Sequence, residues 1–316
     1  MHQNKIIIDW FSFTSRIHTK FELIELLGLE DVNWQTTKGS HGYKYRLYFD
    51  CMSIFFEGTP EQGVWVELSG QGCRAFETYG TGNYDEVFAM IKENPEGMHL
   101  TRLDVAFDDL VPAGEPDPGI LQIDQIRDDT LAGNFVSRCR TWDVHVSSHG
   151  TTVSVGSNKS NILIRIYDKA AERHLTDGTH WVRVELQLRD NLAFAFADLP
   201  YTIGEKFTGV LANYLQYVEP SETDSNKWRW PLRPYWANLL EDATAMHIYL
   251  KPGVEYNVLH CEDYVYKQAG NAIDALIQIY GVDVFIDKLK NRGTMPSPKY
   301  RKLIDDTRLL LGLSEK

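Results

Sequence analysis

Three segments of the sequence alternate apolar with polar residues, and their polar positions include carboxylates and a tyrosine. The segments are LTRLDVAFDD (100–109), NILIRIYDK (161–169) and HWVRVELQLR (180–189). Successive side chains of a β-strand point to opposite faces. If the three strands are neighbours in one sheet, Asp104, Asp108, Tyr167 and Glu185 project from the same face.

This combination of side chains is suited to phosphodiester chemistry. Carboxylates such as Asp104, Glu185 and Asp108 are hard oxygen ligands for Mg²⁺ or Mn²⁺. A metal polarises a phosphodiester, which helps a tyrosine hydroxyl with an ordinary pKa near 10 to attack it at neutral pH. Arginines on the same face can hold phosphate groups bidentately. The alternative is a solvated sheet face whose acids and arginines form ordinary cross-strand salt bridges.

The elements that must position these residues form an α+β pattern. Most of the first 190 residues reads as strands, with the alternation typical of an antiparallel sheet that is covered on one face and open on the other. Capping-box spacing from Thr19 to Glu22 predicts one helix, and residues 84–93 predict another. Further helices are expected over 191–199, 203–218 and 262–280, and from Ser297-Pro298 to Gly312. We therefore expect a catalytic domain at 1–200 and a helical region at 201–316.

Composition limits the class of protein. The 316 residues carry a net charge of −12, and the four cysteines have neither disulfide-framework nor zinc-site spacing. No run approaches 18 apolar residues and the N-terminus does not resemble a signal peptide, so we expect a cytoplasmic protein without a membrane partner. Twelve acids face only three bases between Asp85 and Asp129. That stretch suggests a face turned away from nucleic acid.

Two other segments are candidates for DNA binding. KWRWPLRPYW (227–236) could stack bases on Trp228 and Trp230, or it could pack the helical region onto the sheet. A basic run without acids could hold duplex DNA, since local fields steer a polyanion, or it could be a solvated helix end. Its members are Lys288, Lys290, Arg292, Lys299, Arg301 and Lys302.

Four motifs in order resemble the Rep_trans replication-initiation-factor family. They are IDWFSFT, TRLDVAFDD, VSVGSNKSNILIRIYDKAAE and WVRVELQLR, and the resemblance covers roughly residues 5–240. The family includes rolling-circle initiators of plasmids, related phage proteins and relaxases of conjugative elements. The most specific parts are RIYDK and the R-x-E-x-Q strand about 20 residues later.

The resemblance implies a role for each matching residue. Tyr167 matches the nicking tyrosine, which would attack one DNA strand, stay linked to the 5′ phosphate and leave a 3′ hydroxyl. Asp104 and Glu185 match metal-binding acids. The resemblance also places Arg183 and Lys169 beside the scissile phosphate, with Arg165 as a further DNA contact. It implies Mg²⁺ or Mn²⁺ but no nucleotide cofactor, origin DNA and a host helicase as partners, a homodimer and a bacterial cytoplasm.

The sequence lacks two motifs that are typical of other enzymes acting on nucleotides or DNA. No GxxxxGK[ST] phosphate-binding loop and no His-hydrophobe-His triplet occur. His145 and His149 are four residues apart, and we interpret them as a pair at a loop or strand end rather than a metal site.

Besides the enzyme, the sequence allows a non-catalytic DNA-binding regulator on the same scaffold, or an unrelated acidic α+β structural protein.

Overall fold

The structure is a computed structural model that describes residues 3–244, 246, 265 and 270–291. The strands in this part are β1 (Lys5–Ser15), β2 (Gln35–Lys38), β3 (Tyr45–Phe49), β4 (Met52–Phe56), β5 (Val64–Ser69), β6 (Met98–Val111), β7 (Phe135–Ser137), β8 (Trp142–Ser147), β9 (Gly150–Gly156), β10 (Ile162–Asp168), β11 (His180–Arg189) and β12 (Leu215–Tyr217). The helices are α1 (Lys20–Leu26), α2 (Gly70–Tyr79), α3 (Tyr84–Glu93), α4 (Ile123–Leu131), α5 (Lys169–Glu172), α6 (Asp190–Asp198), α7 (Ile203–Tyr214), α8 (Pro234–Thr244), α9 (Gly270–Tyr280) and α10 (Val282–Lys290).

One ten-stranded antiparallel sheet organises the molecule. Its order is β2-β3-β4-β5-β1-β6-β11-β10-β9-β8, and β7 and β12 form a separate two-stranded ribbon. The three strands with alternating polar residues are consecutive in this order, because β6 pairs with β11 and β11 pairs with β10. The condition for a shared polar face, that these three strands are neighbours in one sheet, is therefore met.

The apolar face of the sheet carries the core. Leu103, Val105 and Phe107 of β6 are buried there, and α3, α4 and α6 pack over the same layer. Phe207 of α7 stacks on Phe107 with ring centroids 6.4 Å apart, and Trp236 of α8 is fully buried in the same cluster. Burial of one face fixes the register, since a shift of one residue would turn every polar side chain into this core.

The predicted α+β class, an antiparallel sheet followed by helices, is confirmed. The capping box at Thr19 and the helix over residues 84–93 are both present. The helix predicted to run from 203 to 218 ends instead at Tyr214, because residues 215–217 pair with β7. In that short strand Leu215 and Tyr217 are fully buried, so tertiary packing overrides the helical pattern.

Helix α2 is an element that the sequence pattern did not predict. It opens with Gly70-Gln71-Gly72, a composition that favours a turn. A Cβ atom at Gly72 would lie 2.3 Å from the carbonyl oxygen of Cys51. Glycine is therefore needed for the close approach of this helix to the β3–β4 turn, a requirement that only the packed structure reveals.

The C-terminal prediction is only partly within the described residues. Helix α9 ends at Tyr280 as predicted, before Gly281 with a φ of +79°. The start predicted at 262 and the helix predicted from Ser297 to Gly312 lie outside the described residues. Within the ranges that the structure describes, no helix has the length and apolarity needed to cross a bilayer.

Candidate functional site

The β-sheet register brings the predicted site residues onto one face. Tyr167 lies opposite Arg183, and Arg165 lies opposite Glu185, across the β10–β11 pair. Arg183 in turn lies opposite Asp108 across the β11–β6 pair. Directly opposed residues of antiparallel strands point to the same side, so the local alternation and the strand order together assemble the set.

A polar cleft of about 570 Å³ opens over this face. It is lined by residues of β1, β6, β8, β9, β10 and β11 and of the segment around α5. The lining side chains with titratable or charged groups are Asp9, Arg102, Asp104, His145, His149, Arg165, Tyr167, Asp168, Lys169, Glu172, Arg173 and Glu185. Cations and acids are mixed in the cleft, so a phosphate group there would meet arginine and lysine donors.

Tyr167 is held at the floor of the cleft by two charged side chains. Its hydroxyl donates to Glu185 Oε2 at 3.1 Å, and Lys169 Nζ lies 3.5 Å from the same phenolic oxygen. Lys169 forms an ion pair with Glu172, and Arg165 forms one with Glu185 Oε1. The phenol thus has a carboxylate that can accept its proton and an ammonium group that can stabilise a phenolate.

The surroundings of the phenol favour its protonated form. Burial, followed by the negative charge of Glu185, raises the pKa of Tyr167 well above its ordinary value, against the opposing effect of Arg183. Burial, followed by the positive charge of Arg183, lowers the pKa of Lys169. A nucleophilic role for Tyr167 therefore requires that its proton is removed as the attack proceeds.

Asp104 is a buried carboxylate that is only partly compensated. Arg102 donates to both of its oxygens, at 2.9 and 2.6 Å, and the side chain is almost inaccessible. Burial raises the pKa of Asp104 to about 7, and the charge of Glu185 adds to this rise against the hydrogen bonds from Arg102. Arg102 also lies over the Trp10 ring, 4.0 Å from its centroid.

Asp108, a predicted metal ligand, has other partners in the structure. Arg183 donates to both of its oxygens, at 2.6 and 2.9 Å, and Trp181 donates to Oδ1 at 2.8 Å. Arg183 also donates to Asp9 at 2.7 Å. All of Asp108 is inaccessible and it does not line the cleft. These contacts favour a role for Asp108 in holding Arg183 in place over a role in direct metal binding.

The cleft offers part of the ligand set for a divalent metal, and substrate phosphates would have to supply the rest. Nowhere in the described ranges do three His, Cys, Asp or Glu side chains cluster closely enough to hold a metal alone. Asp104 and Glu185 supply two hard carboxylates. Burial and the charge of Glu185 raise the pKa of Asp104, and a bound cation would favour its ionised form. Magnesium commonly uses one or two carboxylates, with waters and substrate phosphates as its other ligands.

Several lining residues were not assigned to the site from the sequence, among them Asp9, Trp10, His145 and His149. Asp9 and Trp10 come from β1, where the register with β6 shifts between Ile8 and Trp10. Such a bulge redirects a side chain. The only feature of the sequence that could have indicated Asp9 is that it is a lone acid within an apolar strand. His145 and His149, which we interpreted as a loop or strand-end pair, both line the cleft, because β8 and β9 form its far wall.

Of the predicted DNA-binding residues that the structure describes, only Arg165 lines this cleft. Trp228 is exposed and lies near Arg138, whereas the indole of Trp230 donates to the Asp224 carbonyl. Lys288 and Lys290 lie in the last turn of α10. Arg292, Lys299, Arg301 and Lys302 lie outside the described residues.

The acidic stretch from 85 to 129 does not form a single surface. Four of its twelve acids, Asp104, Asp108, Asp109 and Asp129, are buried. Asp129, for example, accepts from Arg233 at 2.6 Å and from Tyr235 at 2.9 Å. A third of the negative charge is therefore engaged inside the protein, so it does not contribute to an acidic face as the sequence suggested.

Comparisons with known proteins agree with the geometry. The Replication initiation factor profile matches residues 98–291, and the Rolling Circle replication initiation protein N-terminal domain profile matches residues 5–93. A curated Bacillus subtilis (strain 168) protein named "Putative DNA relaxase NicK" is 24% identical over 270 residues, which cover 79% of this chain and 74% of that protein.

A solved structure is similar as well. The rolling circle replication initiator protein from Geobacillus stearothermophilus superposes with a TM-score of 0.68 and 28% identity, over 78% of this chain and 99% of that one. The strands that carry Asp104, Tyr167 and Glu185 all lie within the first profile's match. Because that profile alone spans more than half of the sequence, this chain belongs to the Rep_trans family of replication initiation factors, the rolling-circle initiators and relaxases.

Proposed function

We propose that this protein nicks and rejoins one strand of DNA at a specific site through a covalent tyrosine intermediate. The observation that carries the proposal is the hydrogen bond from the Tyr167 hydroxyl to Glu185 on the floor of a cleft with cationic residues. The family, the relaxase relative and the rolling-circle initiator structure support DNA as the substrate.

The residues of the cleft have distinct parts in the proposed reaction. Tyr167 Oη attacks the phosphorus and forms a 5′-phosphotyrosine bond, while the bond to the 3′ oxygen breaks. Glu185 accepts the phenolic proton, since its Oε2 is the hydrogen-bond acceptor. Lys169 stabilises the charge that develops on the phenol oxygen, and Arg165 binds a non-bridging phosphate oxygen. Reversal of these steps rejoins the strand.

Arg183 lies beside the tyrosine, opposite it on the neighbouring strand β11. It is 3% exposed at the side chain and is fixed by Asp108 and Asp9 on either side. Its charge opposes the rise in the pKa of Tyr167. We therefore assign it to stabilisation of the phenolate form rather than to direct contact with DNA.

The proposal includes Mg²⁺ or Mn²⁺, held by Asp104 and Glu185. When bound, the ion would polarise the scissile phosphate and offset its negative charge. The hydrogen bonds from Arg102 and Arg165 to these carboxylates keep them in place without the ion. An origin DNA, a host helicase, a homodimer and a cytoplasmic location complete the proposal on the basis of the family.

The second candidate is a non-catalytic DNA-binding regulator on the same scaffold. Its support is the closed set of ion pairs, since Asp104, Asp108 and Glu185 each have an arginine partner and could serve the fold alone. This candidate does not explain why a tyrosine hydroxyl with a carboxylate acceptor lies in an open polar cleft.

Replacement of the tyrosine separates the two candidates. Supercoiled plasmid carrying the DNA that flanks this protein's gene is incubated with the protein and Mn²⁺. We expect nicked circles and a protein–DNA adduct with wild type and with Tyr201→Phe, a matched exposed tyrosine that does not line the cleft. Tyr167→Phe should bind the DNA but yield neither product. Adduct formation by Tyr167→Phe would remove this tyrosine from the role.

A further inference from the structure

A single row of side chains crosses the sheet beneath the cleft. His145 on β8 lies opposite Thr152 on β9, and Thr152 lies opposite Tyr167 on β10. Opposed residues share a face, and all three side chains line the cleft. With neighbouring strands about 4.8 Å apart, the backbones at His145 and Tyr167 are about 10 Å apart, with the small side chain of Thr152 between them.

The strand order places the proton acceptor and the histidine on opposite sides of the tyrosine. Glu185 is on β11, which flanks β10 on one side, whereas His145 is two strands away on the other. A phosphate above Thr152 would have Tyr167 on one side and His145 on the other. In an in-line displacement the attacking and leaving oxygens lie on opposite sides of phosphorus, so the leaving oxygen would be directed toward His145.

We propose that His145 is the general acid that protonates the 3′ oxygen as the strand is cut. This inference rests on the proposed nicking function. The Tyr167 Oη–P bond forms and the P–O3′ bond breaks, while the phenolic proton passes to Glu185 and a proton from protonated His145 reaches O3′. In the rejoining step neutral His145 takes the proton back from the 3′ hydroxyl and Glu185 returns its proton to the phenol.

The other side chains of the cleft are less suited to this role. Arg173 does not release its proton in proteins. Asp168 accepts from the backbone N–H of Ala171 at 2.8 Å, and Lys169 lies on the nucleophile's side, beside Tyr167 and Glu172. These contacts hold Asp168 at the start of α5 and Lys169 beside the attacking oxygen.

The second histidine of the hairpin has a different environment. His149 lies in the turn between β8 and β9, with its ring 5.2 Å from that of His174 at an angle of 66°. It is outside the row that contains Tyr167. Histidine changes charge between pH 5 and 8 and exchanges protons readily, so position within the sheet is what distinguishes His145 from His149.

A substrate with a sulfur leaving group tests the assignment. The nick site mapped on the plasmid supplies a single-stranded oligonucleotide, made with either the normal 3′ oxygen or a 3′-bridging sulfur at the scissile phosphate. A thiolate leaves without a proton because its conjugate acid is far stronger than an alcohol. Single-turnover adduct formation is measured with the full-length protein, Mn²⁺ and each substrate.

We expect His145→Ala and His145→Gln to cut the oxygen substrate about 100-fold more slowly than wild type and the sulfur substrate at nearly the wild-type rate. His149→Ala should keep the wild-type ratio of the two rates. Equal slowing of both substrates in the His145 variants, no slowing of either, or selective rescue of His149→Ala would each overturn the assignment. Absence of adduct from wild type on both substrates would instead refute the proposed function.

Discussion

Asp104→Asn should stabilise the fold at neutral and alkaline pH while it impairs DNA cleavage. The carboxylate is 2% exposed and its pKa is raised to about 7, first by burial and also by the charge of Glu185, despite two hydrogen bonds from Arg102. Its ionised form is therefore costly inside the protein. Asparagine has nearly the same shape without the charge.

The size of the effect follows from the difference between the two states. Each pKa unit is worth about 1.4 kcal/mol, so a rise from 3.8 to about 7 costs the folded state about 4 kcal/mol once the group is ionised. Stability from neutral Asp104 is fully present below pH 3.8 and is lost as the pH rises through 7. The amide NH₂ of asparagine cannot accept one of the two hydrogen bonds that Arg102 donates, which offsets part of the gain, so we expect about 2 kcal/mol net at pH 8.

Arg102 keeps two other partners in the Asp104→Asn variant. Its guanidinium keeps a hydrogen bond to Gln187 Oε1 at 3.2 Å and its position over the Trp10 ring. The matched control is Asp108→Asn on the same strand. Asp108 binds Arg183 through both oxygens in a fully buried pair, so its replacement should destabilise the fold by about 3 kcal/mol.

Denaturant unfolding of the three proteins at pH 5 and pH 8 provides the test. The unfolding free energy of the wild type should fall relative to Asp104→Asn as the pH rises, and Asp108→Asn should remain less stable than both. If Asp104→Asn is less stable than the wild type at pH 8 by as much as at pH 5, ionisation of the buried Asp104 carboxylate does not carry the inferred cost. Mn²⁺ should raise the melting temperature of the wild type more than that of Asp104→Asn, because the variant lacks one hard ligand.

Two further predictions concern proton transfer and duplex binding. Glu185→Gln keeps the shape of the acceptor of Tyr167 but cannot take its proton, so single-turnover nicking should fall at least about 100-fold; a wild-type rate at limiting Mn²⁺ would exclude Glu185 as both base and metal ligand. Changing Lys299, Arg301 and Lys302 together to Ala should flatten the dependence of log affinity for origin duplex on log salt by about two to three units, because each phosphate that a cation neutralises accounts for about 0.9 of the slope. Cleavage of a short single strand should survive that triple change, and an unaltered salt slope would place the duplex elsewhere.

The sequence by itself determined which side of each strand carries the chemistry. Alternation has a period of two residues and depends only on the local backbone, so it could assign Asp104, Tyr167 and Glu185 to polar faces before any partner strand was known. The capping box at Thr19 is equally local, since its two hydrogen bonds join residues three apart. These features need no knowledge of distant contacts.

The tertiary structure decided which of those polar residues meet. Strand order joins segments far apart in sequence, so the Asp9–Arg183 contact spans 174 residues and could not be read from spacing. The same order placed His145 across the cleft from Tyr167, a relation that its position on β8 alone does not reveal. Burial also separated Asp108, tied to Arg183, from Asp104, which faces the cleft. Local alternation gives both acids the same face, and only the packed neighbours of each carboxylate make their environments different.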